Sequence, residues 1–336
     1  MIVTKTPFRV TLGGGGTDLP SYYNENGGFI FSMGITKYMY VFLNKSNLDK
    51  MIRLHYTKSE EVENISELKH ELAREALKLH KTDRAIEISS LADIPAGTGV
   101  GSSSSYLVGL LNAIRNFKCK STTPKLLAEE ACKIELDILK KGIGKQDQYM
   151  AAYGGLTVLN IHKNGRVDVE QLKLKEDEKK EFVNKNHIYY TGFRREAEKI
   201  LHEQNQSMLS KKNTTDKQLK KQSLDEIKSI GKDILKFFKQ RDFENVGNLF
   251  DKNKKNKIKL SKKISNNEID SLYEYVKDKF NVRGGKIIGA GGGGFILLYC
   301  NKEGKLLDEF MTKKGYMKLD YQISDFGSQV ITKTES

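Results

Sequence analysis

Pro95-Ala96-Gly97-Thr98-Gly99-Val100-Gly101-Ser102-Ser103-Ser104-Ser105-Tyr106 sets three alternating glycines and four serines between a strand pattern and a helix pattern. Upstream, Ala85 to Ser89 alternates apolar and polar β-formers and Leu91 to Ile94 continues it; downstream, Leu107, Leu110, Leu111 and Ile114 recur at helical spacing. The glycines therefore lie at a helix entry. Backbone without a Cβ comes close to a ligand there, and the unpaired N–H groups of the first turn, backed by the helix dipole, favour an anion. Serine hydroxyls add donors, or a hard oxygen for a magnesium ion bridging phosphates. The stretch admits two readings, a phosphate cradle or an ordinary glycine-rich loop with a serine cap. It is not a Walker loop, because no Gly-Lys-Ser/Thr closes it, nor the dinucleotide fingerprint, because no acidic residue ends a strand about 20 residues on.

The 336-residue length points to two domains, and 38% hydrophobic with 30% charged residues suits a globular chain with a sizeable core. The longest apolar run, Phe295 to Cys300, is too short to cross a bilayer, and the opening MIVTKTPFRV lacks a secretory core; a cytoplasmic protein is expected. Three separated cysteines with no CxxC pair indicate neither a disulfide framework nor a zinc site. The net charge of +14 fits a nucleic-acid surface or a solvated lysine-rich exterior. Between Lys173 and Lys263 the lysines interleave with acidic and amide residues, without aromatic interleaving, which favours the exterior.

Along the chain, Met1 to Val10 reads as a strand leading into Gly13-Gly14-Gly15-Gly16-Thr17-Asp18, where Asp18 could accept from hydroxyls or cap a short helix. Gly28 to Leu43 is strand material without clean alternation. Asn64 to His80 reads as one helix, with Asn64 and Glu67 as a capping box. Thr123-Pro124 starts another, running to about Lys141, in which Glu135 lies beside the buried stripe of Leu127, Ala131, Ile134 and Ile138. A metal or a basic group would satisfy that carboxylate, and so would half-exposure with its stem packed. Gly142 to Tyr149 then gathers a polar cluster with Asp147 as its reactive member, and charge and strand signals mix from His162 to Val183. Arg194 and Arg195 follow the strand pattern of His187 to Thr191 and could hold an anion or cover a surface. Glu196 to Asn281 reads as mainly helical, without obvious chemistry. Lys286 to Tyr299 encloses a second four-glycine run, followed by a helix over Lys305 to Lys314 and a strand over Lys318 to Ser324.

Taken together, Pro7 to Pro20, Pro95 to Tyr106 and Lys286 to Tyr299 resemble, in order and spacing, the three signature motifs of the GHMP kinases. LGGGGTDLPSYY, GKQDQYMAAYGG, YYTGFRREA and KIIGAGGGGF resemble its sugar-kinase branch, which includes heptose phosphate kinases. The resemblance implies an α+β fold, with a ribosomal-protein-like N-terminal domain (1–165), a ferredoxin-like C-terminal domain (166–336) and the site between them. It implies transfer of the ATP γ-phosphoryl group to a sugar hydroxyl, the anomeric one of a heptose 7-phosphate, with Mg2+. Gly97, Gly99, Val100, Gly101, Ser102, Ser103 and Ser104 would wrap the ATP phosphates; Ser103 and Glu135 would hold magnesium, with Asp137 as the rival of Glu135. Asp147 would be the catalytic aspartate, as base or as orienting group, and Arg9 the basic residue at the reacting oxygens. Asp18, Gly14, Gly15, Thr17, Gly292 and Gly293 are expected around the sugar, and Arg194 and Arg195 at its phosphate. The expected partners are a sugar phosphate and ATP, with no nucleic acid and no membrane, in a monomer or homodimer. Two departures stand out: Gly15-Gly16 replace the Glu-His of galactokinase-like members, and the Glu135 to Asp147 interval is about one residue longer than in mevalonate kinase.

Overall fold

The computed structural model describes residues 1–193, 214–261, 264–289 and 291–334. Two sheets organise it, and the fold is α+β. The larger runs β12-β1-β2-β5-β3-β4, built from β1 (Ile2–Gly13), β2 (Gly28–Lys45), β3 (Ile52–His55), β4 (Ser59–Val62), β5 (Ile86–Ala92) and β12 (Gln329–Lys333). On the first half of β2 it carries a second branch, β6 (Leu156–Ile161) and β7 (Val167–Leu172). The smaller, antiparallel sheet has the order β11-β8-β10-β9, from β8 (Asn186–Tyr190), β9 (Val282–Ile287), β10 (Phe295–Cys300) and β11 (Met317–Lys318).

Why β2 shows no clean alternation is visible in the packing. Its pairing with β1 shifts register between Pro7 and Phe8. Before that point in β2, Phe29, Phe31, Met33 and Ile35 enter the core shared with the C-terminal half; beyond it, Val41 and Leu43 enter the N-terminal core. One 18-residue strand thus serves two cores. The same shift acts on β1: Thr4 and Thr6 crowd Gly109 of α3 (Ser102–Phe117), whereas Phe8, Val10 and Leu12 face the C-terminal half. Arg9 and Thr11 are thereby turned toward α5 (Gln146–Tyr153), the re-aiming that an irregularity beside a site produces. Pro7, a residue without a backbone donor, marks the place.

After the short α1 (Pro20–Asn26), the helices α2 (Glu71–Leu79), α3, α4 (Pro124–Cys132) and α5 supply the N-terminal core; the long helix Thr214–Gln240 brings Ile230, Ile234 and Phe238 to the shared one. Four sequence expectations change. The helix expected over Asn64 to His80 is a 3₁₀ turn, Ile65–Glu67, then α2, which His70 caps by accepting from the Ala73 N–H at 3.3 Å. The helix from Thr123 becomes π-helical over Lys133–Ile138, with the Leu139 N–H donating to the Ile134 carbonyl. A cut at residue 165/166 would fall inside the β6–β7 hairpin, because β7 completes the large sheet. Lys318 to Ser324 gives only the short β11 and an isolated bridge from Ile323 to Ile35. The chain then crosses back: Ser328 Oγ accepts from Thr6 and Asn112, and β12 pairs with the edge of β1, where Thr334 bonds Met1.

Candidate active site

Gly97, Gly99 and Gly101 all adopt positive φ (78°, 83° and 81°), which only glycine does without strain, and they wind the loop into the start of α3. Gly101 is the N-cap and offers no side-chain cap, so the first-turn N–H groups of α3 stay available to an anion. The third glycine block packs onto this loop. A Cβ at Gly294 would sit 2.1 Å from the Thr98 carbonyl oxygen, and one at Gly289 would sit 2.4 Å from that of Gly99.

Arg9 and Asp147 meet beside the loop. Arg9 donates from Nε and Nη2 to Asp147 Oδ1, both at 2.7 Å, and from Nη1 to the Gly99 carbonyl at 2.6 Å. Asp147 stands in the first turn of α5 with its side chain partly open, and its carboxylate lies against Gly101. The first block contributes Asp18, whose Oδ1 accepts from the Gly16 N–H and whose Oδ2 accepts from the Gln146 N–H at 3.0 Å. Burial pushes the Asp18 carboxyl up, opposed by the Gln146 bond, with the charge of Asp147 adding to the rise. A Cβ at Gly144 would lie 2.0 Å from Asp18 Oδ2, which explains the glycine in that polar cluster. Gln146 also donates to Thr11 Oγ1 at 2.5 Å, joining α5 to β1.

Glu135 differs from Asp147 in every respect. It is completely buried and accepts on one oxygen, Oε2, from Ser104 at 2.7 Å and Gln148 at 2.6 Å, while Oε1 has no hydrogen-bond partner among the described residues. Burial pushes its carboxyl up to about 7, with the Ser104 and Gln148 bonds pulling the other way. The π-helical turn holds one more residue than an α-turn would, a local place for the longer Glu135 to Asp147 interval. Asp137, the rival of Glu135, points out to solvent.

Ser103 is exposed, and Ser104, a helical step of about 100° further round, is the buried residue bonded to the Glu135 carboxylate. Ser104 is therefore engaged by protein and not turned to phosphate. Thr17 is fully buried, its hydroxyl 2.8 Å from both the Gly14 and the Phe29 carbonyl with one proton to donate between them, so it shapes the first glycine turn; Gly14 lies against Phe29 for the same reason. Gly292 donates to the Ile264 carbonyl and Gly293 packs on Phe193, both buried, while Gly15 stays half-exposed. Arg194 and Arg195 lie outside the described residues.

Two cations that sequence reasoning set aside come to the site. Lys286 of β9 is buried, donating to the Leu12 carbonyl at 2.5 Å with its ammonium 4.8 Å from the centre of the Phe250 ring. Lys257, on the helix Val246–Ile258, is half-buried and donates to the Gly289 carbonyl. Burial, with Arg9 adding to it and Asp18 opposing, holds the Lys257 ammonium down to about 8; burial, with Lys257 and Arg9 adding, holds Lys286 well below its ordinary value. A lysine set between the paired glycines of β9 and the isoleucines that follow is a readable signal. Lys257, one lysine among many on its helix, carries none.

Among the described residues no group of three or more His, Cys, Asp or Glu could hold a metal ion, and no helix is long and apolar enough to cross a membrane. The profile described as "GHMP kinases N terminal domain" matches residues 65–155. The chain is 27% identical to D-glycero-alpha-D-manno-heptose 7-phosphate kinase of Campylobacter jejuni over 94% of this chain and 95% of that one. It is 27% identical to the L-fucokinase/L-fucose-1-P guanylyltransferase of Bacteroides fragilis over 73% of this chain and 26% of that protein. The fold is similar to the crystal structure of a D-glycero-D-manno-heptose 1-phosphate kinase from Bacteroides thetaiotaomicron, with a TM-score of 0.80 at 20% identity, covering all of both chains. With a glycine loop opening a helix and a carboxylate and guanidinium paired beside it, the chain carries a GHMP kinase N-terminal domain over residues 65–155 and is an ATP-dependent sugar kinase that phosphorylates an alcohol.

Proposed function

We propose that the protein transfers the γ-phosphoryl group of ATP to the anomeric hydroxyl of a heptose 7-phosphate. The observation that carries the reading is the placement of the Arg9–Asp147 pair against Gly101 at the phosphate loop, with Asp18 bonded to Gln146, the residue of α5 that precedes Asp147. Such transfer depends on positioning and on neutralising charge spread over the phosphoryl oxygens. Arg9, fixed between Asp147 Oδ1 and the Gly99 carbonyl, keeps its positive charge beside the loop that would hold the phosphates. Asp147 accepts the acceptor hydroxyl's hydrogen bond, and as that oxygen bonds to the γ-phosphorus and the bond to the β,γ-bridging oxygen breaks to release ADP, the hydroxyl proton passes to the carboxylate. Asp18 orients neighbouring sugar hydroxyls.

The residues present fit a divalent cation. Glu135 carries a buried carboxylate oxygen without a partner among the described residues, at the foot of the helix whose N–H groups would meet phosphates. Glu135 and the exposed Ser103 would hold magnesium, which when bound supplies neutralisation of phosphate charge.

The test is ADP release with heptose 7-phosphate, the free heptose, fucose and galactose, followed by 31P NMR of the product. The phosphorylated heptose should be used with the highest kcat/KM and gain an anomeric phosphate. The similarity to an L-fucokinase favours a second reading, a kinase for an unphosphorylated sugar, and equal efficiency on phosphorylated and free heptose would establish it instead.

A further inference from the structure

Arg9, Lys257 and Lys286 come from three elements, β1, the helix Val246–Ile258 and β9, and each lies within the electrostatic reach of the others. Two carboxylates face this group. Asp147 is already engaged by Arg9, and both oxygens of Asp18 accept main-chain N–H groups. Among the described residues neither lysine meets a carboxylate; their acceptors are the neutral carbonyls of Gly289 and Leu12. Carbonyls satisfy hydrogen bonds without compensating charge, so gathering two ammoniums beside a guanidinium carries a desolvation and repulsion cost. An anion arriving in the cleft would remove it.

The two lysines are not equivalent. Lys286 is enclosed and tied to the strand that leads into the first glycine run. Lys257 is half-buried on a flexible four-carbon stem, and its carbonyl partner, Gly289, touches Gly99, the residue whose carbonyl receives Arg9. It therefore stands where the third glycine block meets the phosphate loop. We propose that Lys257 is a phosphate ligand of this cleft: its ammonium binds the phosphoryl group of a ligand, either the terminal phosphate of the nucleotide or the phosphate of the sugar. The proposal rests on the kinase reading, and on the heptose 7-phosphate reading only if the sugar supplies that phosphate.

Lys257→Met keeps the stem and removes the charge; Lys257→Arg keeps the charge. Each is compared with wild type by calorimetric titration with the β,γ-imido analogue of ATP, with ADP and with inorganic phosphate, alongside its melting temperature. Loss of roughly ten- to hundredfold in affinity for the imido analogue but not ADP in Lys257→Met, largely restored in Lys257→Arg, assigns the terminal phosphate. The same loss confined to inorganic phosphate assigns the sugar phosphate. Unchanged affinity for all three overturns the proposal and leaves Lys257 as a brace for Gly289, whatever the melting temperature. If Lys257→Met does not fold, Lys257→Gln carries the same comparison. Failure of wild type to use heptose 7-phosphate would reject that substrate while leaving the imido-analogue result standing.

Discussion

Glu135 and Asp147 flank the same phosphate loop, yet one is enclosed and the other partly open, and their partners are opposite in kind. Asp147 is matched by a full positive charge on Arg9 before any ligand arrives. Glu135 has two neutral donors on one oxygen, none among the described residues on the other, and a carboxyl pushed up to about 7 by burial. On the function proposed above, the difference would separate a carboxylate held ready at a reacting hydroxyl from one whose charge is completed by an incoming cation. A buried acid without a cation is costly in its ionised form, whereas a guanidinium-paired acid is not.

The strongest way to break this contrast is Asp147→Asn, which keeps the shape and removes the proton acceptor. We expect kcat to fall by roughly a hundredfold or more with affinity for an ATP analogue within a few-fold of wild type. Single-turnover kinetics with calorimetric nucleotide binding checks it, and near-normal turnover in a folded variant would remove Asp147 from the chemistry. Glu135→Gln should act next most strongly, on the metal side: the magnesium concentration for half-maximal rate should rise about tenfold or more, with little change at saturation. An unchanged magnesium dependence would move that role away from Glu135.

The same residue predicts a pH effect with a definite sign. Its folded-state pKa, about 7, lies above the ordinary 4.5, so its contribution to stability is fully present below about pH 4.5 and is lost as pH rises through about 7. In magnesium-free buffer the wild type should therefore lose stability over that window, by an amount on the order of 3 kcal/mol at most. Glu135→Gln should lack this component, which denaturant titrations at pH 5 and pH 8 would show. Ser104→Ala should have the smallest effect, about 1 kcal/mol, by removing one of the two donors to Oε2. Combined with Glu135→Gln it should be less than additive, because both changes act on one contact; strict additivity would mean that the bond seen here contributes nothing.

Much of the site was legible because residue type and spacing carry it. Alternating glycines before a helical pattern predict a loop open to anions, and Asp147 in a polar cluster between glycines invites attention without any structure. Residues whose meaning depends on phase were harder to read. Whether Ser103 or Ser104 turns inward is a matter of one helical step, and the π-helical turn at Lys133–Ile138 is decided by packing. Contacts between distant segments left the least trace. Lys257 reaches Gly289 from a helix where lysines are frequent, and β12 returns to β1 after more than 300 residues. The fold class followed from the resemblance of the three glycine blocks to the GHMP kinase motifs, whereas the boundary between its halves was not legible, because β7 and β12 join the large sheet through pairings that local patterning does not specify.

That return of β12 constrains the order in which the protein can finish folding as it is synthesised. Once residues 1–165 have left the ribosome, six strands of the large sheet are available, but one edge of β1 still lacks its neighbour. At ordinary elongation rates of about 5 to 20 residues per second, residues 329–333 follow β1 by tens of seconds. Throughout that interval the nascent chain offers an unpaired strand edge to any other β-segment nearby, its own or a neighbour's. An early termination before β12 would leave that edge open permanently, so a short deletion far from the phosphate loop should cost soluble yield before it costs catalysis.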